Sequence, residues 1–338
     1  MIAGSHVEGD DAAPATRVAV TASLGQLGRR VAGLAGEDPA VSEVVAVDPT
    51  GPDLERVLEG CGTLVHLDPG GPDGSTARLL DAAGHLGVRH LVLLSSATVY
   101  GAWADNPVPL TEDAPLRPNP GADHAHRRAE LERLGADWLV GGPGRTVAVL
   151  RPALSVGTDV DDGPGTSSRL LRGPRLVRGV RAGQDEPPVQ VLDVDDLAAA
   201  VDLARRDRLD GPFNVAPDGW LSGEQVAALA GDPPRVRLPG WLASWSRARA
   251  RPGQPRPSSH DPYSTQPWVV ANDRLKAAGW TPTVPNDVAY VRATPGTPWS
   301  QLSPKRRQEL AIGTAGSLVA GALAGVLGLV VRARRRRG

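Results

Sequence analysis

RVAVTASLGQLGRRVAGLA, residues 17–35, holds an apolar strand (RVAV, 17–20), a glycine-containing turn and a helical stretch (LGRRVAGLA, 27–35). A strand feeding a helix through glycines is the opening unit of a parallel α/β sheet, because the turn brings backbone N–H groups to the helix N-terminus, where they can face an anion. Outward from it the alternation continues. VSEVVAV (41–47) and TLVHL (63–67) read as strands, TARLLDAAGHLG (76–87) as an amphipathic helix, and VRHLVLLSS (88–96) as a buried strand. A helix near 124–136 and a strand at RTVAVLRP (145–152) follow. Strands alternating with helices predict right-handed βαβ units and a doubly wound parallel sheet of the Rossmann type.

The boundaries expected are a disordered leader over 1–16, a dinucleotide-binding domain over 17–155 and a smaller interleaved substrate lobe over 156–297. A strand and helix near 190–217 return to the main sheet. Six of the eight tryptophans lie after residue 155. A linker (298–309), an apolar helix (310–331) and a basic tail (332–338) complete the chain.

The 338 residues, 41% hydrophobic and 22% charged, exclude a wholly disordered chain, and 40 glycines without a Gly-x-y period exclude collagen. A single cysteine, Cys61, excludes a disulfide framework and a cysteine metal cluster, so no metal is expected. The net charge of −1 conceals an uneven distribution: residues 1–304 carry 29 basic and 37 acidic side chains. An acidic body is a poor match for phosphate backbones, which excludes nucleic acid as the expected partner.

Gly25 and Gly28 would let a pyrophosphate approach the backbone. Asp48, ending the second strand 20 residues past Gly28, would accept both ribose hydroxyls and repel a 2′-phosphate. Together they predict a dinucleotide, NAD in preference to NADP, with Arg29 and Arg30 as the cations that would favour NADP.

The run LLSSATVYG (93–101), then PLTEDAPLRPNP (109–120), LRP (150–152), VDD (194–196) and FNVAPDGWLS (213–222), resembles the extended short-chain dehydrogenase/reductases, the NAD-dependent epimerase/dehydratases, over roughly 17–235. The resemblance implies that Asp53 and Leu54 flank adenine, that Ser96 is the active-site hydroxyl, and that the ligands are NAD and a nucleotide sugar. It also implies a homodimer. Tyr100 reads as structural. The family's Tyr-x-x-x-Lys pair is absent: GADHAHRRAELE (121–132) puts His124 and Arg128 in its place, or Ala122 and His126 in a register two residues back. No other tyrosine or lysine can restore it, because the tyrosines are Tyr100, Tyr263 and Tyr290 and no lysine precedes Lys276. Altered or lost oxidoreductase chemistry follows, or a non-catalytic dinucleotide sensor.

Residues 310–331 are uncharged, about 33 Å long as a helix at ~1.5 Å per residue, and five arginines follow them. The expectation is association with the cytoplasmic membrane, either spanning it or lying on anionic lipid, with packing of the segment on the body or on a partner as the alternative.

Overall fold

A computed structural model describes residues 16–21, 25–67, 74–156, 187–230 and 262–294. The leader, the linker, the apolar segment 310–331 and the basic tail lie outside the described residues, apart from Thr16, which begins the first strand. Among the described residues no helix is long and apolar enough to cross a membrane.

Six parallel strands form the main sheet: β1 (Thr16–Thr21), β2 (Val41–Val47), β3 (Cys61–His66), β4 (His90–Leu94), β5 (Thr146–Pro152) and β8 (Gly211–Val215). Their order is β2-β1-β3-β4-β5-β8. The chain winds one way from β1 to β2 and the other way from β3 onward. The order therefore reverses between β1 and β3, and a crevice opens beyond the carboxyl ends of those two strands. The sequence predicted this parallel sheet, and strand and helix positions agree to within a few residues.

Each strand's alternation divides its side chains between two cores. Val18, Val20, Val65, Val92, Leu94, Ala148 and Leu150 pack with α1 (Gln26–Glu37) and α5 (Val194–Arg206). Ala19, Leu64, Leu91, Leu93, Val147 and Val149 face α2 (Leu54–Leu58), α3 (Ser75–His85) and α4 (Asp123–Val140). This period of two, with apolar residues at both phases, is what a sheet covered on both faces requires. Arg205 ties α5 to the end of α1 through Asp38 at 2.8 Å, with both side chains largely buried.

Two short parallel strands, β6 (Leu154–Val156) and β7 (Val191–Asp193), pack with α6 (Gly223–Ala230) and α8 (Asn286–Ala293) around a separate cluster that includes Val191, Leu221 and Tyr290. A further short helix, α7 (Asp273–Ala277), lies against β8. The chain enters the small sheet directly from β5 and leaves it directly into α5, so the two layers interleave.

Candidate functional site

At the crevice, α1 starts at Gly25, whose extended backbone leads into a first turn without an acidic side chain. Such a turn presents N–H groups and partial positive charge, which fits a pyrophosphate. Gly28 is buried on the same helix. Arg30 is ion-paired with Asp195 on α5, so it is already committed away from Asp48.

Asp48 is exposed and opens a tight turn: Gly51 N donates to its carbonyl at 3.0 Å, while Thr50 donates from its backbone (2.8 Å) and hydroxyl (2.7 Å) to Asp48 Oδ1. Those Thr50 bonds, with smaller help from Gly51 and the positive charge of Arg78, hold the carboxyl below its usual range. Asp48 is therefore an anion across the physiological range. Asp53 caps α2 and pairs with Arg56 at 3.0 Å, whereas Leu54 is 3% exposed and belongs to the core under the sheet.

The floor of the crevice holds a layer that the sequence reading passed over. His66, fully buried at the end of β3, has Nδ1 3.0 Å from Thr21 Oγ1 and Nε2 3.3 Å from Thr76 Oγ1. Leu67 N donates to the same Thr21 oxygen at 2.8 Å. Burial, and secondarily the charge of Arg128, push the imidazole down to about 3, so it is neutral and bridges β1 to the start of α3. The signal available was a lone histidine at the apolar end of TLVHL.

Ser96 is half-buried and caps the 3-10 turn Ala97–Tyr100, accepting from Thr98 N (3.2 Å) and Thr98 Oγ1 (2.9 Å). Both bonds use its lone pairs, so its proton is the part left to act on a ligand. Gly101, at φ +69°, ends this turn, and a Cβ there would strike the Arg117 carbonyl and the Trp103 ring. Only glycine accommodates that turn.

On α4, His124, Arg128 and Glu132 fall at i, i+4 and i+8, one face of the helix. His124 is half-buried, Arg128 is 3% exposed and Glu132 8% exposed, while His126 is exposed. Arg128 Nη1 donates to the carbonyl of Leu94, two residues before Ser96. The structure thus brings Ser96 and Arg128 to the same strand end and leaves His126 outside. With the Leu94 carbonyl at the end of β4 beneath it, the Arg128 guanidinium turns inward.

Glu132 anchors a buried network. It accepts from Ser95 Oγ at 2.5 Å and from Arg151 Nε and Nη2 at 3.1 and 2.7 Å. Arg151 Nη1 donates to Tyr100 Oη at 2.7 Å, and its guanidinium lies 5.0 Å from that ring's centroid. Tyr100 in turn donates to Asn214 at 2.8 Å, and Asn214 N donates to Glu112 at 2.9 Å. Burial raises the Tyr100 hydroxyl to about 12. Tyr100 is therefore a scaffold residue, as its position in the motif implies. Tyr263 reaches the neighbourhood from the far end of the chain and packs on Ala122 and Ala125, but its hydroxyl donates to the Thr98 carbonyl at 2.8 Å.

Residues 74–216 match the model of the NAD dependent epimerase/dehydratase family. The resemblance read from the motifs is to that family. Uncharacterized proteins of Mycobacterium tuberculosis (strain ATCC 25618 / H37Rv) and Mycobacterium bovis are each 32% identical over 154 residues, 46% of this chain. The matched stretch spans only 39% of the length of either relative. Among solved structures, the UDP-glucose 4-epimerase of Thermus thermophilus in complex with NAD superposes with a TM-score of 0.58 at 20% identity, over 82% of this chain and 97% of that one. DesIV, a dTDP-glucose 4,6-dehydratase from Streptomyces venezuelae with NAD and DAU bound, gives 0.59 at 18% identity over 82% and 95%. At these identities the two structures speak for the fold. Ser96, His124 and Arg128 all lie within the stretch that the family model matches.

Proposed function

We propose that this chain binds a nicotinamide dinucleotide, NAD ahead of NADP, across the carboxyl ends of β1 and β3, and beside it a nucleotide sugar, with oxidoreductase chemistry altered from that of the epimerases and dehydratases it resembles. The observation that carries the reading is the reversal of strand order between β1 and β3, with the acid-free start of α1 on one side and Ser96 with Arg128 beyond the other. Gly25 and Gly28 would line the pyrophosphate and Asp48 the ribose. Bound there, the dinucleotide supplies a hydride acceptor or donor. Ser96 would donate its proton to a ligand oxygen, and Arg128 would keep a fixed positive charge under the site. Arginine does not release its proton, so of the two His124 is the group with a proton to exchange.

The test is to load purified protein with NAD, add UDP-glucose and then dTDP-glucose, and follow the absorbance of reduced nicotinamide. Its appearance supports a working, altered site. Binding of NAD by calorimetry without any absorbance change, for either sugar, favours the second reading, a dinucleotide sensor. The specific observation behind that alternative is the replacement of the proton-relay pair by His124 and buried Arg128.

We further propose that residues 310–337 bring the protein to the cytoplasmic membrane. The support is an uncharged length suited to a bilayer core of roughly 30 Å, followed by arginines suited to anionic headgroups. Retention in the membrane fraction through alkaline wash indicates a span, and release by salt indicates surface binding. A wholly soluble full-length protein refutes both.

A further inference from the structure

Tyr263 stands in a short 3-10 turn, Pro262–Ser264, and is 4% exposed. Its hydroxyl donates to the Thr98 carbonyl at 2.8 Å, an oxygen that also accepts from Gly101 N at 3.0 Å. Thr98 is in turn the residue whose N–H and hydroxyl occupy the lone pairs of Ser96. Burial pushes the Tyr263 hydroxyl up to about 12, so it stays protonated and serves as a donor. The phenol is itself held on several sides. Its ring packs with Ala102 and with Ala122 and Ala125 at the start of α4. Trp268 stands edge-on to it, 5.5 Å between centroids, and donates from Nε1 to the Tyr263 carbonyl at 2.9 Å. Beyond Trp268, Leu110 N donates to the Val269 carbonyl at 2.9 Å, Ala271 N donates to the Leu110 carbonyl at 2.8 Å, and Gln190 brackets Val270 with bonds of 2.8 and 2.9 Å. Gln190 immediately precedes β7, so residues 263–271 tie the small sheet to the turn that Ser96 caps.

We infer that Tyr263 is a positioning residue for Ser96: by fixing Thr98 it sets the direction in which the serine hydroxyl presents its proton. The inference rests on the proposed role of Ser96 and deepens it. A serine hydroxyl turns about its Cβ–O bond until its lone pairs are engaged, and here Thr98 engages both. Thr98 lies in a four-residue 3-10 turn, whose own hydrogen bonds have poor geometry. The turn therefore needs outside support, and the buried phenol supplies it at the Thr98 carbonyl. Without the Tyr263 hydroxyl that carbonyl keeps only Gly101 N, Thr98 shifts more freely, and the serine proton spreads over more directions. A group that transfers a proton over hydrogen-bond distance loses rate when its direction is loosened, even though the loosened residue never touches the ligand.

The test places a thiol where the hydroxyl stands. In the full chain, Ser96→Cys is titrated by thiolate absorbance and by its alkylation rate, alone and together with Tyr263→Phe, which keeps the ring and removes only the hydroxyl. Cys61 is buried and gives the unreactive background. Donors to a thiolate favour its charged form, so loosening Thr98 should raise the titration midpoint by about half a pH unit or more. The same midpoint in both proteins would overturn the inference. Should Tyr263→Phe prove unfolded by thermal melt, Trp268→Phe, which frees the Tyr263 carbonyl, is expected to move the midpoint the same way, and no movement overturns the inference. A second readout is single-turnover reduction of bound NAD by UDP-glucose or dTDP-glucose. Tyr263→Phe should slow it about tenfold with NAD affinity unchanged, the scale of one hydrogen bond. In a Ser96→Ala background the same change should slow it by no more than about twofold, because the effect passes through the serine. Equal slowing in both backgrounds would overturn the role given to Tyr263 and leave the site standing. A wild type that binds NAD and reduces none overturns the proposed chemistry, and the thiol titration then decides this inference alone.

Discussion

Replacing Glu132 by glutamine keeps the shape of the side chain and removes its charge, isolating what the buried ion pair contributes. Glu132 and Arg151 have side chains 8% and 7% exposed, and the carboxylate accepts three hydrogen bonds, one from Ser95 and two from Arg151. Glutamine retains one acceptor oxygen and brings an NH₂ group against a guanidinium or a hydroxyl, so at least one donor is stranded. Removing one partner of a buried pair costs about 3–5 kcal/mol. Arg151 keeps its bonds to Tyr100 and the Glu112 carbonyl, which places the expectation near the lower end, about 3 kcal/mol. For a folded unit of this size that corresponds to a fall in melting temperature of roughly 6–12 °C. The assay is urea and thermal unfolding of Glu132→Gln beside Arg133→Ala. Arg133 lies on the outer face of the same helix, paired with Glu130 and Asp137 in side chains more than half exposed. That second variant should leave the midpoint unchanged, because exposed pairs contribute little. A Glu132→Gln midpoint indistinguishable from wild type, or equal to that of Arg133→Ala, would refute the claim that burial makes the difference.

Three further expectations follow from particular residues. His66 is pushed down to about 3 and His90 to about 4, both chiefly by burial, so each is neutral when folded and protonated more readily when unfolded. Their contribution to stability is present above pH ~6.5 and is lost as pH falls, at about 1.4 kcal/mol per histidine per pH unit until each folded value is reached; His66→Gln should remove about half of that slope in denaturation between pH 6.5 and 5. Gly101→Ala forces a side chain into a left-handed turn against the Arg117 carbonyl and should destabilise by about 1–3 kcal/mol, measured by urea unfolding. The double change His124→Tyr with Arg128→Lys restores a phenol and an amine four residues apart on the inward face of α4, and should raise hydride transfer to bound NAD by about 10²-fold or more in single-turnover absorbance; no gain would count against the altered-chemistry reading.

The parallel sheet was legible because its signal is local: apolar runs at both phases of the strand period, separated by helices and glycine turns, admit few alternatives. The placement of Ser96, Gly25, Gly28 and Asp48 near strand ends or a helix start was legible for a related reason, since the pattern itself locates such ends. What the pattern could not provide was side-chain direction on α4. Arg128 and Arg127 are equivalent in composition, yet one is buried against the Leu94 carbonyl and the other is exposed. That difference is set by the packing of α4 on β4, which is close because Gly135 leaves room for Leu93. The His66 layer was hidden for a similar reason: Thr21, His66 and Thr76 are far apart in sequence and meet only once β1, β3 and α3 are assembled. Leu54, expected from the motif beside adenine, has its side chain in the core under the sheet, a placement the motif did not reveal.

The buried network also bears on what the site has kept. Replacing a buried ion network with well-packed apolar side chains is often neutral or even stabilising, so Glu132 and Arg151 are not explained by stability alone. Their geometric effect is specific. Glu132 lies one turn beyond Arg128 on α4 and binds Ser95, the immediate neighbour of Ser96, as well as Arg151 on β5. Sliding α4 by one residue would break these contacts together, so the network fixes the helix register against β4 and thereby fixes which residues face Ser96. A chain whose nearby surface served only to cover the sheet would gain nothing from specifying that register with charges. The register instead seats Arg128 on the Leu94 carbonyl, two residues before the serine, and leaves His126 exposed. Under the proposed function, exchanging His124 and Arg128 with the network left intact is therefore the variant that separates altered chemistry from none.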